Sequence, residues 1–134
     1  MRPDTAGAHV LSREECIGLL ASAPIGRIVF TDRALPAVQP VGFCLDGEDI
    51  VIRAVEGSAV AATRDAVVAF EADDFDSRTR TGWSVTAVGY ARAVSDPVEI
   101  ARLSALPLTT WVPGGGTLFI KIPAELVAGR CIRH

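Results

Sequence analysis

Short runs of alternating apolar and polar residues dominate this chain and predict a mainly β fold. The runs are rich in β-branched residues and are separated by turn residues, as in the strands of a curled sheet. Strands are predicted at residues 25–31, 35–45, 50–55, 66–72, 80–94, 117–122 and 126–132. The run at 80–94 is the longest and is punctuated by Gly82 and Gly89. A strand of that length indicates a barrel or a strongly curled sheet.

Three helices are predicted between or before these strands. Ser12 and Glu15 match a capping box, so a first helix begins there and ends before Pro24. A short second helix is predicted at residues 59–64, with Ser58 as its N-cap. A third, at residues 97–103, starts with proline at its first position. Because helices and strands do not alternate regularly, a small antiparallel β-barrel is favoured over a parallel α/β fold.

Two segments are predicted to be irregular, and one strand has an unusual feature. Residues 1–10 are expected to be flexible, and the acidic stretch at 73–77 is interpreted as a solvated loop.

The strand at 35–45 contains Pro36 and Pro40, which lack the N–H that a strand donates to its neighbour. These prolines indicate an edge, a bulge, or a place where something other than a strand meets the backbone.

Length and charge narrow the class of protein. The 134 residues predict one domain spanning 1–134, and a net charge of −3 with 13 Lys and Arg disfavours nucleic-acid binding. No apolar run is long enough to span a membrane, and residues 1–7 lack the apolar core of a signal peptide. We therefore expect a soluble, cytoplasmic protein with no membrane partner. The three cysteines are too far apart in the sequence for a local metal or redox motif.

No residue pattern indicates a catalytic residue or a metal site. The histidines, His9 and His134, lie near the two ends of the chain, and no spacing typical of metal ligands occurs. Hydrolase and metalloenzyme interpretations are therefore weak, and the sequence assigns neither a catalytic residue nor a metal ligand.

A site for an anion and a flat ring is the chemistry that the remaining residues suggest. Arg53 can bind a phosphate, and the Ser58 hydroxyl with the amides of a helix N-terminus can complete the cradle. The backbone of residues 39–41 can face the edge of a heterocycle that Trp83 or Trp111 covers. The alternative is that Arg53 is a solvated strand residue, that Ser58 is only a cap, and that both tryptophans are core or dimer contacts.

A set of short motifs, in this order, resembles the flavin-binding split-barrel proteins of the pyridoxamine 5′-phosphate oxidase-like family, especially small actinobacterial-type members. The resemblance covers residues 11–133 and rests on order and spacing more than on any single motif. The motifs are Gly26-Arg27-Ile28, Pro36 with Pro40-Val41, Gly57-Ser58, Val68-Ala69-Phe70-Glu71 with Asp73, Gly82-Trp83-Ser84-Val85, and Gly89 with Ala91.

The resemblance implies a six-stranded antiparallel split barrel that forms a homodimer, with two FMN sites at the subunit interface. It places the ring against residues 38–41, the phosphate near residues 53–59, and partner or ring-side contacts at residues 83–84 and in the late loop of Trp111. The implied cofactor-binding residues are Val38, Gln39, Pro40, Val41, Arg53, Ser58, Ala59, Trp83, Ser84 and Trp111.

One position departs from the family pattern and leaves alternatives open. Many relatives carry a lysine after Gly-Ser, where this chain has Ala59. The resemblance implies an FMN-dependent oxidoreductase acting on a small planar molecule. A reductase of the same fold that uses the deazaflavin F420, or a flavin-binding or sensor module without turnover, remains as an alternative.

Overall fold

The computed structural model describes residues 2–3, 8–108 and 118–134, which form an antiparallel β-barrel with two flanking helices. Its strands are β1 (Arg2–Pro3), β2 (His9–Val10), β3 (Ile25–Asp32), β4 (Leu35–Gly42), β5 (Cys44–Asp46), β6 (Asp49–Ala54), β7 (Ala66–Asp76), β8 (Thr81–Ala93), β9 (Leu118–Pro123) and β10 (Leu126–Ile132). Its helices are α1 (Arg13–Ser22), α2 (Pro97–Ser104) and the 3₁₀ helix Ala61–Thr63. The predicted mainly β architecture is confirmed. The structure has more strands than the sequence predicts. β1 and β2 are additional short strands at the start of the chain, and Phe43 divides one predicted strand into β4 and β5.

The long strand β8 joins the two sheets of the barrel. One sheet has the order β1-β2-β10-β8-β7-β3-β4, and the other contains β5, β6 and β9. β8 pairs with β7 and β10 along most of its length, and its end at Arg92–Ala93 pairs with β9. A side chain at Gly89 would overlap the backbone oxygen of Pro123, so a glycine is required where β8 passes that close to the end of β9. The prediction of a long curling strand is confirmed.

The main core fills the barrel and is closed at one end by α1. Its largest fully buried side chains include Leu20, Ile28, Ile52, Phe70 and Ile122. α1 starts at the predicted capping box, where Glu15 N donates to Ser12 Oγ at 3.1 Å and Ser12 N donates to Glu15 Oε1 at 2.9 Å. The helix ends at Ser22, two residues before Pro24.

A smaller apolar cluster lies outside the barrel, under α2. It consists of Val51, Val94, Leu103 and Phe119. α2 begins as predicted, with Asp96 Oδ1 accepting from Val98 N at 3.0 Å. The cluster places α2 over the outer face of β6 and β9.

The acidic stretch at 73–77 is mostly strand, so its prediction as a loop is wrong. β7 continues to Asp76, and its pairing with β8 extends to the pair Asp76–Thr81. Asp73 is tolerated there because Arg27 Nη1 lies 3.4 Å from its carboxylate. The turn starts only after Asp76, whose Oδ1 accepts from Arg78 N at 2.8 Å.

The helix predicted at 59–64 is reduced to the 3₁₀ helix Ala61–Thr63. The Ser58 hydroxyl does accept from Ala61 N at 3.2 Å, as an N-cap would. However, Arg64 is already extended and Asp65 has a positive φ of 67°, so the chain turns into β7 after a single helical turn.

Two short strands lie in the segment predicted to be flexible. Pro3 pairs with His9 in β2, and His9 pairs with Cys131 in β10. Neither α1 nor α2, within the described ranges, has the length and apolar composition needed to cross a bilayer.

Candidate functional site

An open seam in the barrel, which we call the split, lies between β4 and the second half of β6. β4 pairs with β3 along its whole length and has no second partner among the described strands. β5 covers only residues 49–51 of β6, so among the described strands residues 52–54 pair with β9 alone. β4 and β6 also contact each other, so the two strands with unpaired edges are neighbours in the barrel. The backbone groups along the split are available to a ligand.

The two prolines determine which backbone groups of β4 face the split. Residues of the same parity on a strand direct their N–H and C=O groups toward the same edge. Because Pro36 and Pro40 have no N–H, their positions face the edge that is not paired with β3. Val38 shares this parity. The split is therefore lined by the Val38 N–H and by the carbonyl groups of residues 36, 38 and 40.

The side chains of β4 alternate between the surface and the core. Val38 is 61% exposed and Pro40 is exposed, whereas Val41 packs against the main core and Gln39 is half-buried opposite Ile28. Of the predicted ring-facing residues, Val38 and Pro40 therefore offer side chains to a ligand outside the barrel, and Gln39 and Val41 point the other way.

Arg53 lies across the split from β4, on the outer surface of β6. Its guanidinium carbon is 5.2 Å from the centroid of the Phe119 ring, a cation–π distance. Phe119 is buried in the cluster under α2. The guanidinium of Arg53 is therefore held over the neighbouring strand β9 by a ring that is itself fixed.

The turn after β6 carries Ser58 and Ala59 but no free arginine. Ser58 is half-buried, its hydroxyl accepts the bond from Ala61 N, and Ala59 is exposed. Arg64 forms an ion pair with Glu56 on the other side of this turn, at 2.5 Å between Nη2 and Oε1. A 3₁₀ helix of three residues stands where the sequence predicts an α-helix, and the phosphate cradle at this turn stays a prediction.

Trp83 and Ser84 are neighbours in sequence but point to opposite faces of β8. Trp83 packs against the main core on the side of α1, and Ser84 lies on the outer face, opposite Asp73 of β7 and Arg130 of β10. Three strand spacings, about 14 Å, separate Ser84 from β4. The chain therefore does not bring Trp83 or Ser84 to its own split. Trp111 lies outside the described residues.

A family model described as pyridoxamine 5′-phosphate oxidase matches residues 12–130, nearly the whole chain. The chain belongs to the pyridoxamine 5′-phosphate oxidase family. This confirms the resemblance inferred from the motifs.

Known proteins of similar sequence and structure support this membership. Protein Rv0080 of Mycobacterium tuberculosis, which is uncharacterised, is 46% identical over 125 residues, covering 89% of this chain and 82% of the relative. The FAD-binding protein of Mycobacterium smegmatis has a similar structure, with a TM-score of 0.78, 31% identity, and coverage of 93% of this chain and 98% of that one. A conserved protein of unknown function from Corynebacterium diphtheriae superposes with a TM-score of 0.79 and 28% identity, over 94% and 98% of the two chains. The split-barrel prediction is confirmed.

The outer face of the larger sheet carries a surface that sequence reasoning missed. At one end it presents exposed apolar side chains, which are Val38, Val67, Tyr90 and Leu126. Register places them on the same face. Val67 pairs with Tyr90, and Leu126 pairs with Val88, two residues from Tyr90. Val38 pairs with Val29, which pairs with Ala69, two residues from Val67. We call these four residues the outer apolar face. The sequence carries one signal of this face. The odd-numbered residues of β7 point outward, and Val67 among them is apolar.

A charged cluster lies beside the outer apolar face. Arg27 Nη1 is 3.0 Å from Glu71 and 3.4 Å from Asp73. Burial raises the pKa of Glu71, and its hydrogen bond with Asp73 raises it further, although Arg27 opposes both effects. Glu71 is therefore protonated more easily than an isolated glutamate.

A second charged cluster fixes α2 to the barrel. The Lys121 side chain is 6% exposed, and its Nζ lies 2.8 Å from Asp46 and 3.0 Å from Glu99. Arg102 of α2 adds a bidentate pair to Asp46 at 2.8 and 2.9 Å. Burial lowers the pKa of Lys121, but its bonds to Asp46 and Glu99 outweigh that effect and raise it. Lys121 is therefore charged, and it ties α2 to β9 and to the hairpin of β5 and β6.

Proposed function

We propose that this protein is a flavin-dependent oxidoreductase that holds FMN along the split and acts on a small planar substrate. The observation that carries the proposal is the pair of unpaired edges of β4 and β6, with Val38 N–H and neighbouring carbonyl groups facing outward. These groups match the donors and acceptors on the edge of a flavin ring. Membership of the family and the FAD-binding relative of M. smegmatis support the same cofactor class.

The residues of the split fit the ring better than they fit the phosphate. Val38 and Pro40 offer an apolar wall outside the barrel, and Arg53 offers a positive charge at the far side of the split. Ala59 leaves the following turn without the lysine that many relatives carry, and Arg64 is paired with Glu56. A bound flavin would supply hydride or electron transfer. The chain itself orients the ring through the β4 backbone and anchors its anionic end through Arg53.

We also propose that the functional unit is a homodimer, with the outer apolar face at its interface. Val67 and Leu126 are 67% and 68% exposed in the single chain, which favours a partner that covers them. A second copy would also bring Ser84 toward a split that it cannot reach in its own chain. Each cofactor site would then combine residues of both subunits.

The identity of the flavin is a separate question, with three candidates. FMN has one phosphate for Arg53 to bind. FAD, which is named for the M. smegmatis relative, adds a second phosphate and an adenosine that can make further contacts. F420 also presents a planar ring and a phosphate.

Side-by-side titration of the protein with FMN, FAD and F420, after the absorbance spectrum of the purified protein has been recorded, tests this proposal. We expect FMN to bind with micromolar or tighter affinity, and mass analysis of material released on denaturation to identify a flavin. Tighter binding of F420 than of FMN would change the proposed cofactor to F420 and leave the proposed site unchanged. Failure of all three to bind would refute the proposal.

A binding or sensor module without turnover is the second candidate function. It is favoured by Ala59 and by the Glu56–Arg64 pair, which leave few charges for the cofactor phosphate. Stopped-flow reduction of the bound flavin by NADH or NADPH distinguishes the two functions. We expect reduction and reoxidation by an added planar acceptor such as a quinone, whereas a flavin that neither donor reduces would favour the binding module.

A further inference from the structure

We propose that a groove between α1 and the end of β10 binds an uncharged planar aromatic molecule, at a site separate from the split. The groove is open to solvent and has a volume of about 740 Å³, with walls that come from α1, from the start of β8 and from the last residues of the chain. This volume lies within the range of small-molecule sites, about 300 to 1,000 Å³. Its wall includes Leu11, Leu19, Trp83, Cys131 and Ile132.

Trp83 gives the groove its flat aromatic wall. The side chain is half-buried and lies on the α1 side of β8, the face opposite to Ser84. An indole ring in this position stacks favourably on another planar ring. The split, in contrast, has no tryptophan among its described residues.

Gly18 contributes to the open shape of the groove. It lies in the middle of α1, where glycine costs about 1 kcal/mol relative to alanine. Close packing does not account for it, because a Cβ at this position would have no neighbour within 4 Å. Gly18 lines the groove, so its missing side chain keeps the groove open.

The charges at the groove favour a neutral ligand. Glu15 and Arg133, of opposite sign, both line it. Hydrogen bonds from Ser12 hold the pKa of Glu15 below its ordinary value, so this carboxylate is ionised at neutral pH. A ligand with a net charge of either sign would meet one favourable and one unfavourable side chain, whereas an uncharged molecule meets no such penalty.

Fluorescence titration with N-phenyl-1-naphthylamine, an uncharged two-ring probe that brightens in apolar sites, tests this proposal. The size series Gly18→Ala, Gly18→Leu and Gly18→Phe fills the groove progressively, and each substitution improves the helix propensity of α1. We expect affinity to fall along the series, by about tenfold or more for the phenylalanine variant. The control Glu14→Leu adds an apolar side chain to α1 outside the groove wall and should bind like the wild type.

Three further measurements separate this site from others. The sulfonated relative of the probe, 8-anilinonaphthalene-1-sulfonate, should bind more weakly than the neutral probe. In a Trp111→Phe background, Trp83 is the remaining tryptophan, and its emission should fall as the probe binds. Saturating FMN should not displace the probe. A flat Gly18 series, displacement by FMN, tighter binding of the sulfonated probe, or no fluorescence increase in the wild type would each overturn the proposal.

Discussion

Single residues at the split decide how a cofactor would be held. Arg53 is fixed by the Phe119 ring, whereas Ala59 leaves an exposed position in the turn without a charge. Arg53 can contact a phosphate, whereas Ala59 cannot. One substitution at Ala59 can add such a contact, because this exposed position has room for a long side chain.

Substituting Ala59→Lys should strengthen FMN binding by about tenfold, because one added charge-assisted contact to phosphate is worth about 1.5 kcal/mol or more. The matched control is Ala62→Lys, at an exposed alanine in the 3₁₀ helix that follows, which should leave the affinity within about twofold. Isothermal titration measures both. Equal effects of the two lysines would show that general charge, and not a contact at position 59, governs binding.

Glycines make a second comparison at the residue scale. Gly89→Ala should destabilise the protein by about 3 kcal/mol or more, because a side chain there would overlap the backbone of Pro123. Gly18→Ala should instead stabilise it by up to about 1 kcal/mol, since nothing surrounds that position. Urea unfolding of the two variants checks the opposite signs, and stabilisation by both would contradict the close approach of β8 to β9.

At the scale of elements, α2 is held by charges around Lys121 as well as by apolar packing. The pKa of Asp46 is lowered by hydrogen bonds from Arg102 and Lys121, and the pKa of Glu99 is lowered chiefly by its bond from Lys121. Carboxylates with lowered folded-state pKa values add stability above their unfolded pKa, and they lose it as the pH falls through the folded value. The attachment of α2 should therefore weaken in acid.

Replacing Lys121 with methionine should cost about 3 kcal/mol of unfolding free energy at pH 7, because Glu99 and Asp46 lose their buried partner. The variant should also lose less stability than the wild type between about pH 5 and pH 2. Arg64→Met, which breaks the exposed pair with Glu56, should cost at most about 1 kcal/mol. Urea unfolding at several pH values measures these effects, and parallel pH curves for wild type and Lys121→Met would contradict the role of the cluster.

Some of these elements can be predicted from the sequence, and others cannot. Capping residues such as Ser12 and Asp96 act within four residues of the chain, so both helix starts could be predicted. The sequence predicts too long a helix after Ser58, because the positive φ of Asp65, where the chain turns into β7, has no strong local signal. Lys121 could not be linked to Asp46, because 75 positions separate them and only the barrel brings them together.

At the scale of the whole molecule, the described residues present the split and the outer apolar face, and both point to partners. The split was visible in part, since Pro36 and Pro40 indicated an unusual edge, but which strand faces β4 depends on the closure of the barrel. Trp83 and Ser84 were assigned together to one ligand, although strand alternation places them on opposite faces. Ser84 belongs with the outer face and so with the proposed partner subunit.

Substituting Val67→Lys should convert the proposed dimer into a monomer, because it places a charge in the centre of the outer apolar face. Val98→Lys is the control, since Val98 is 78% exposed on α2 and lies outside that face. Sedimentation velocity should show a dimer for the wild type and for the control, and a monomer for Val67→Lys. A wild-type monomer at micromolar concentration would refute the interface.

The central claim is that a flavin lies along the unpaired edges of β4 and β6. Backbone amide NMR of the isotopically labelled protein, titrated with FMN, tests it most directly. We predict saturable shift changes concentrated in residues 38–41 and 53–59, with Val38 among the largest. Changes confined to the α1 groove around Gly18 and Trp83, or no change at saturating FMN, would contradict the account.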